Sequence, residues 1–164
     1  MAVEWIHRKK PTMLGMASGA VAGMVAVTPA SGFVNPTGAL WIGIAAGAIC
    51  YCSAVFLKNA LKYDDSLDAF GVHGVGGFIG AMLTGVFADA SINTLPKGHG
   101  VLTQFYGCIG TIIWSGVLTA VILLICKYTT GLRVSDEDET LGLDLALHGA
   151  VSYTHLTLPT NREV

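Results

Sequence analysis

From Pro11 through Leu57 the chain carries no acidic or basic residue. One helix cannot absorb so long an apolar run, and Gly32-Phe-Val-Asn-Pro-Thr-Gly38 interrupts it with residues that make tight turns. The pattern predicts a first helix over about 12–31 and a second over about 38–57. Two further apolar stretches follow, over about 69–88 and about 101–128, the last being the longest. Each has roughly the 20 residues that a membrane crossing needs. Thr28-Pro29 is expected to bend or end the first helix.

The polar connections agree with this division. Arg8, Lys9 and Lys10 precede the first helix, Lys58 and Lys62 follow the second, and Lys127 and Arg133 follow the fourth. The first turn has no basic residue, and the loop Asp89–Gly100 has only Lys97. Positive charge marks the cytoplasmic side, so both ends and the middle loop are expected there. Composition points the same way. Of 164 residues 52% are hydrophobic and 12% charged, against about 25% charged in a soluble domain. The expected class is therefore all-α and integral to the membrane, with four transmembrane helices. The N-terminal apolar run is too long for a signal peptide, and a second follows at once.

Several functions are disfavoured. No basic patch with interleaved aromatics offers a nucleic-acid surface. Cys50, Cys52, Cys108 and Cys126 lie in apolar runs without metal-site spacing, and they read as buried free thiols. There is no Ser/His/Asp set and no phosphate-binding glycine loop after a strand. An enzyme is not expected, nor is a cofactor or a metal.

Gly15, Gly19 and Gly23 repeat every four residues, as do Gly43 and Gly47. Small residues at that spacing let helices approach closely in lipid. In the third helix a wheel puts Ala69, His73, Gly76, Gly77, Gly80 and Thr84 on one face, and Val72, Val75, Ile79, Met82 and Val86 on the other. The small face is expected to look into protein and the bulky face toward lipid or greasy packing. His73 is then either a packing residue bonded to a neighbouring helix or an imidazole lining a path. An uncharged imidazole offers one donor and one acceptor, and an ionisable group at membrane depth reads as a functional site. Asp65 and Asp68 lead into this helix and are expected to cap it, in preference to touching a solute. The tail Ser135-Asp-Glu-Asp-Glu139 is acidic, and Ser135 with Asp138 fits a capping box. A docking surface for a partner is the alternative there.

The segment Asp68-Ala-Phe-Gly-Val-His73-Gly-Val-Gly-Gly77 resembles the second signature of the Amt/Mep/Rh ammonium transporter family, and its Amt branch in particular. Lys10-Pro-Thr-Met-Leu-Gly-Met-Ala-Ser-Gly-Ala-Val-Ala-Gly23 and Val27-Thr-Pro-Ala-Ser-Gly-Phe33 are similar to its eighth helix and the following turn. Asp64-Asp65 matches the lead into its tenth helix. Gly131-Leu-Arg-Val-Ser-Asp-Glu-Asp-Glu139 and Gly142-Leu-Asp-Leu-Ala-Leu-His-Gly149 look like its cytoplasmic tail. The resemblance covers residues 2–149.

That resemblance implies a homotrimer whose subunits have about eleven helices in two inverted halves, each subunit with its own pore. It implies recruitment of ammonium at an aromatic vestibule and passage of ammonia through a hydrophobic pore lined by two histidines. His73 matches the second of them. Asp65 matches the acidic residue that mirrors the vestibule aspartate of the first half. Gly142 and Asp144 fall in the regulatory tail, where many members bind a PII-type protein. The expected location is the plasma (cell inner) membrane, with the C-terminus cytoplasmic.

The departures also carry expectations. Residues 1–149 correspond to the last four helices of the family, Met1 being expected to be an internal methionine. The first pore histidine and the vestibule aromatics have no counterpart, so this polypeptide alone is not expected to conduct. Residues 150–164 depart from the family, and Val151-Ser-Tyr-Thr-His-Leu-Thr-Leu-Pro-Thr160 resembles translated sequencing adapter. The natural frame is expected to be cut near Gly149. The alternative to transport is a membrane sensor that signals through the tail. A gas channel of the Rh branch fits the Gly-Leu-Arg-Val tail less well.

Overall fold

The computed structural model describes residues 1–148. Its helices are α1 (Ala2–Arg8), α2 (Met13–Val27), α3 (Pro36–Cys52), α4 (Lys58–Leu61), α5 (Val75–Phe87), α6 (Val101–Thr129), α7 (Asp136–Leu141) and α8 (Leu143–His148). Among the described residues no strand forms; Val34 and Ala88 make an isolated antiparallel bridge. Four helical rods are long and apolar enough to cross a membrane: Met13–Ala30, Pro36–Leu61, Phe70–Phe87 and Val101–Thr129.

Local chemistry sets their ends. The Thr12 hydroxyl accepts from the Gly15 amide at 2.9 Å and starts α2. Pro29 cannot donate to an α-helical ladder, and α2 ends in a 3₁₀ turn over Thr28–Ala30. Asn35 caps α3 by accepting from the Gly38 amide at 2.9 Å, with Pro36 in the first helical position. The second rod runs beyond the predicted Leu57 to Leu61, through a π-helical turn over Ser53–Leu57 and then α4. Lys58 is accommodated there because its ammonium turns to Asp68 and to the Asp65 carbonyl.

The described chain forms two units, Met1–Ile113 and a second beginning at Trp114. In the first, α2, α3 and α5 pack together. Each buries a line of residues four apart: Ala22, Ala26 and Ala30; Gly38, Ile42, Ala46 and Cys50; and Val72, Gly76, Gly80 and Thr84. Small side chains at this spacing allow close backbone contact, which supplies the dispersion energy that lipid cannot. At Gly80 a Cβ would collide with the carbonyl of Ala26. The glycine repeats predicted to form the seam are not its main line. Gly43 and Gly47 face open space, and the Gly23 Cβ position lies 3.9 Å from the Gly43 Cα. The Cβ position of Gly15, by contrast, abuts the Glu4 carboxylate of α1, and that of Gly19 lies 3.8 Å from the Met1 nitrogen. Alanine serves in α2 because a methyl still fits the spacing.

At one end of this unit the turn before α3 is tied to the segment after α5. The Asp89 amide donates to the Phe33 carbonyl at 2.8 Å, and the Asn35 side chain donates to the Asp89 carboxylate. At the other end, the Glu4 carboxylate of α1 accepts from the Thr12 hydroxyl at 2.7 Å and the Thr12 amide at 3.2 Å. Those two bonds, the hydroxyl first, hold the Glu4 carboxyl below its ordinary value. Helix α6 has no buried residue.

The second unit holds the remainder of α6 with α7 and α8. Ser135 caps α7, its hydroxyl accepting from the Asp138 amide at 3.1 Å and donating to the Asp138 carboxylate at 2.8 Å. Gly142 ends α7 at φ 99°, a conformation that favours glycine.

Candidate functional site

His73 lies in a second π-helical turn, Phe70–Gly74, which leads into α5. In an unbroken α-helix the residues three and four before Gly76, which are His73 and Val72, would flank it. The π turn inserts one extra residue into the helical path. Gly71 therefore turns into the seam and His73 out of it, with Ala69 also exposed. Val72, four residues before Gly76, is buried with or without the extra residue. This corrects the wheel, in which His73 shared the packed face and Val72 opposed it. Val72 is 9% exposed and belongs to the core. The imidazole instead sits on a face that α2 and α3 do not cover.

The two π turns lie against each other. A Cβ on Gly71 would stand 3.2 Å from both the Cα and the amide nitrogen of Ala54. Lys58 donates to the Asp68 carboxylate at 2.8 Å and to the Asp65 carbonyl. Side chains also cover carbonyls inside both turns. Asn59 Nδ2 donates to Val55 O at 2.6 Å, and the buried Cys50 thiol donates to Val72 O at 3.8 Å. Irregular backbone at membrane depth survives only where such donors are supplied.

The two leading aspartates divide the work. Asp65 Oδ1 accepts from the Ala69 amide at 2.8 Å and Oδ2 from the Phe70 amide at 2.9 Å, so this carboxylate closes the start of the helix. Asp68, expected to cap as well, pairs with Lys58 instead. Its backbone is left-handed, with φ 55°, a region that Asp tolerates better than most residues. Gly142 and Asp144 lie together in the second unit. The Gly142 carbonyl accepts from the Leu145 and Ala146 amides, and Asp144 occupies the first turn of α8. Of the four cysteines, all free, only Cys50 is buried; Cys52 is exposed, and Cys108 and Cys126 lie between these extremes. Residues 150–164 lie outside the described residues.

Among the described residues, several cavities lie beside the seam. One, of about 140 Å³, is lined by Glu4, Thr12, Ser18, Tyr51 and Asp68 among others. Another, of about 170 Å³, has Pro29, Phe33, Thr84 and His99 in its wall. His73 lines neither.

Sequence reasoning missed Lys58, Asn59 and Cys50 as partners of the π turns. A lysine closing an apolar run just before the acidic Asp64–Asp68 segment was the available signal for the first. Nothing in the hydropathy marks the turns themselves.

Apolar rods seamed by small residues, four of them long and apolar enough to cross a membrane, define an all-helical integral membrane protein. Residues 1–153 match the model of the Ammonium Transporter Family. An ammonium transporter of Aquifex aeolicus is 50% identical over 93% of this chain and 37% of its own length. One of Bacillus subtilis is 46% identical over 92% of this chain and 39% of its own. The crystal structure of Saccharomyces cerevisiae Mep2 superposes with a TM-score of 0.75 at 36% identity, covering 84% of this chain and 34% of that one. A structure described as Sensor Amt Protein gives a TM-score of 0.78 at 32% identity, over 88% and 36%. The chain belongs to the Ammonium Transporter Family. It spans under two-fifths of the length of these bacterial relatives.

Proposed function

We propose that this chain supplies part of an ammonium-transporting protein in which His73 lines the conducting path. Family membership supports the substrate, ammonium or ammonia. The observation that carries the role of His73 is its exposed imidazole on a helix whose neighbouring residues Gly71, Val72 and Gly76 are buried. An uncharged ring in that position can accept from or donate to a small polar solute and holds no fixed charge against its passage. Asp65 acts at one remove, by closing the helix that carries the ring. Residues 1–149 form the C-terminal part of the transporter fold, and this polypeptide alone does not conduct. Uptake of methylammonium into vesicles holding only this chain, above that of empty vesicles, would overturn the last point.

The intact protein is a homotrimer in the plasma membrane with its C-terminus cytoplasmic, an orientation supported by the positions of Lys58, Lys62, Lys127 and Arg133. The tail around Gly142 and Asp144 is offered as the docking segment for a PII-type regulator. A sensor role is not favoured, since relatives at 46% and 50% identity are called ammonium transporters. The test is His73→Leu in a full-length transporter carrying this segment. Methylammonium uptake or its selectivity should change while the trimer stays intact. Unchanged uptake, or failure to assemble, would return His73 to a packing role.

A further inference from the structure

We infer that Lys58 is a positioning residue for His73. Its ammonium binds the Asp68 carboxylate at 2.8 Å and the Asp65 carbonyl, and so ties the end of the first π turn to the start of the second. Between these ties Gly71 lies on the backbone of Ala54, and the Cys50 thiol reaches Val72 O. The second turn is thus held from three directions: by charge at its entrance, by backbone contact in its middle, and by a thiol on its inner side. Held there, it keeps the extra residue that turns Ala69 and His73 outward and Gly71 inward. Without the tie, the segment relaxes toward the regular α-helix that its sequence otherwise permits. The wheel then brings Ala69 and His73 back beside Gly76 and Gly80. The ion pair is partly exposed, its side chains keeping 27% and 42% of their accessible surface. Its effect is therefore one of geometry more than of stability. The importance of this phase for transport rests on the proposed role of His73; the phase itself does not.

The test reads the phase directly. Single cysteines are placed at positions 69, 72 and 73 of the full chain in lipid vesicles, with Cys52, Cys108 and Cys126 replaced by serine. Cys50 is kept, being 2% exposed. A polar thiol reagent should label positions 69 and 73 and spare 72. Adding Lys58→Met should lower labelling at 69 and 73 about tenfold, as seam burial protects a thiol, with 72 still spared. The exchanged pair Lys58→Asp with Asp68→Lys should restore the first pattern. Unchanged labelling at 69 and 73 overturns the inference. So does a rise at all three positions, which would report loosening rather than rotation. A transport assay on His73→Leu can fail without touching this result, and the labelling can fail without touching that assay.

Discussion

Asn35 and Asp89, 54 positions apart in sequence, are joined by a hydrogen bond of 3.1 Å from the Asn35 amide to the Asp89 carboxylate. The same Asn35 caps α3 through its other side-chain atom. The Ser91 hydroxyl, the Ser91 amide and then Asn35 hold the Asp89 carboxyl below its ordinary 3.8. A lowered folded value means the contribution is complete above the ordinary value and drains away as pH falls through the folded one. Acid should therefore release the tie only below about pH 3.8. Asp89→Asn should remove that pH dependence, and hydrogen exchange at the Asp89 and Ser91 amides would record it. Asn35→Ala should also cost about 1 kcal/mol through the lost cap.

Thr12 is a relay: its hydroxyl donates to Glu4 and accepts from the Gly15 amide. Thr12→Val removes both. The helix cap should cost about 1 kcal/mol, and the Glu4 carboxyl should titrate nearer its ordinary 4.5. An NMR titration of the Glu4 carboxyl carbon that failed to move upward would contradict the relay.

Gly80 and Gly43 make a matched pair of tests. Gly80→Ala drives a methyl into the Ala26 carbonyl and should destabilise the bundle by about 1–3 kcal/mol, the usual cost of overpacking. Gly43→Ala points into open space and should be neutral, or favourable by up to about 1 kcal/mol through helix propensity. Denaturation in detergent micelles would rank them, and equal effects would refute the seam.

The Ser53 hydroxyl is buried without a hydrogen-bond partner among the described residues. Ser53→Ala should therefore be neutral or stabilising, since an unpaired buried polar group costs about 1–3 kcal/mol. A clear loss of stability in the same assay would mean that the hydroxyl has a partner in the membrane.

The four rods were legible because hydropathy and the Gly32–Gly38 break report burial in lipid and turn formation directly. The N-cap at Ser135 was legible for a similar reason, being a local pattern with a local cause. The Asp138 carboxylate, however, accepts from the Ser135 hydroxyl and not, as in a full capping box, from its backbone amide. The phase of His73 was not legible, because a wheel assumes one constant angle per residue and the π turn over Phe70–Gly74 breaks that assumption. The seam was misassigned for a different reason. Glycine and alanine both permit close approach, so spacing alone could not choose Ala22, Ala26 and Ala30 over Gly15, Gly19 and Gly23. Asp68 looked like a second cap because nothing in its own segment reveals Lys58 across the gap.

A buried line that repeats every four residues does not run straight along a helix; it winds by about 40° with each repeat. Rods joined along such lines keep contact over their length only by crossing at an angle, since rows four apart are inclined about 26° to the helix axis. In α3 the line extends from Gly38 to Cys50, nearly the whole helix, so its tilt against its neighbours is written into the spacing of small residues.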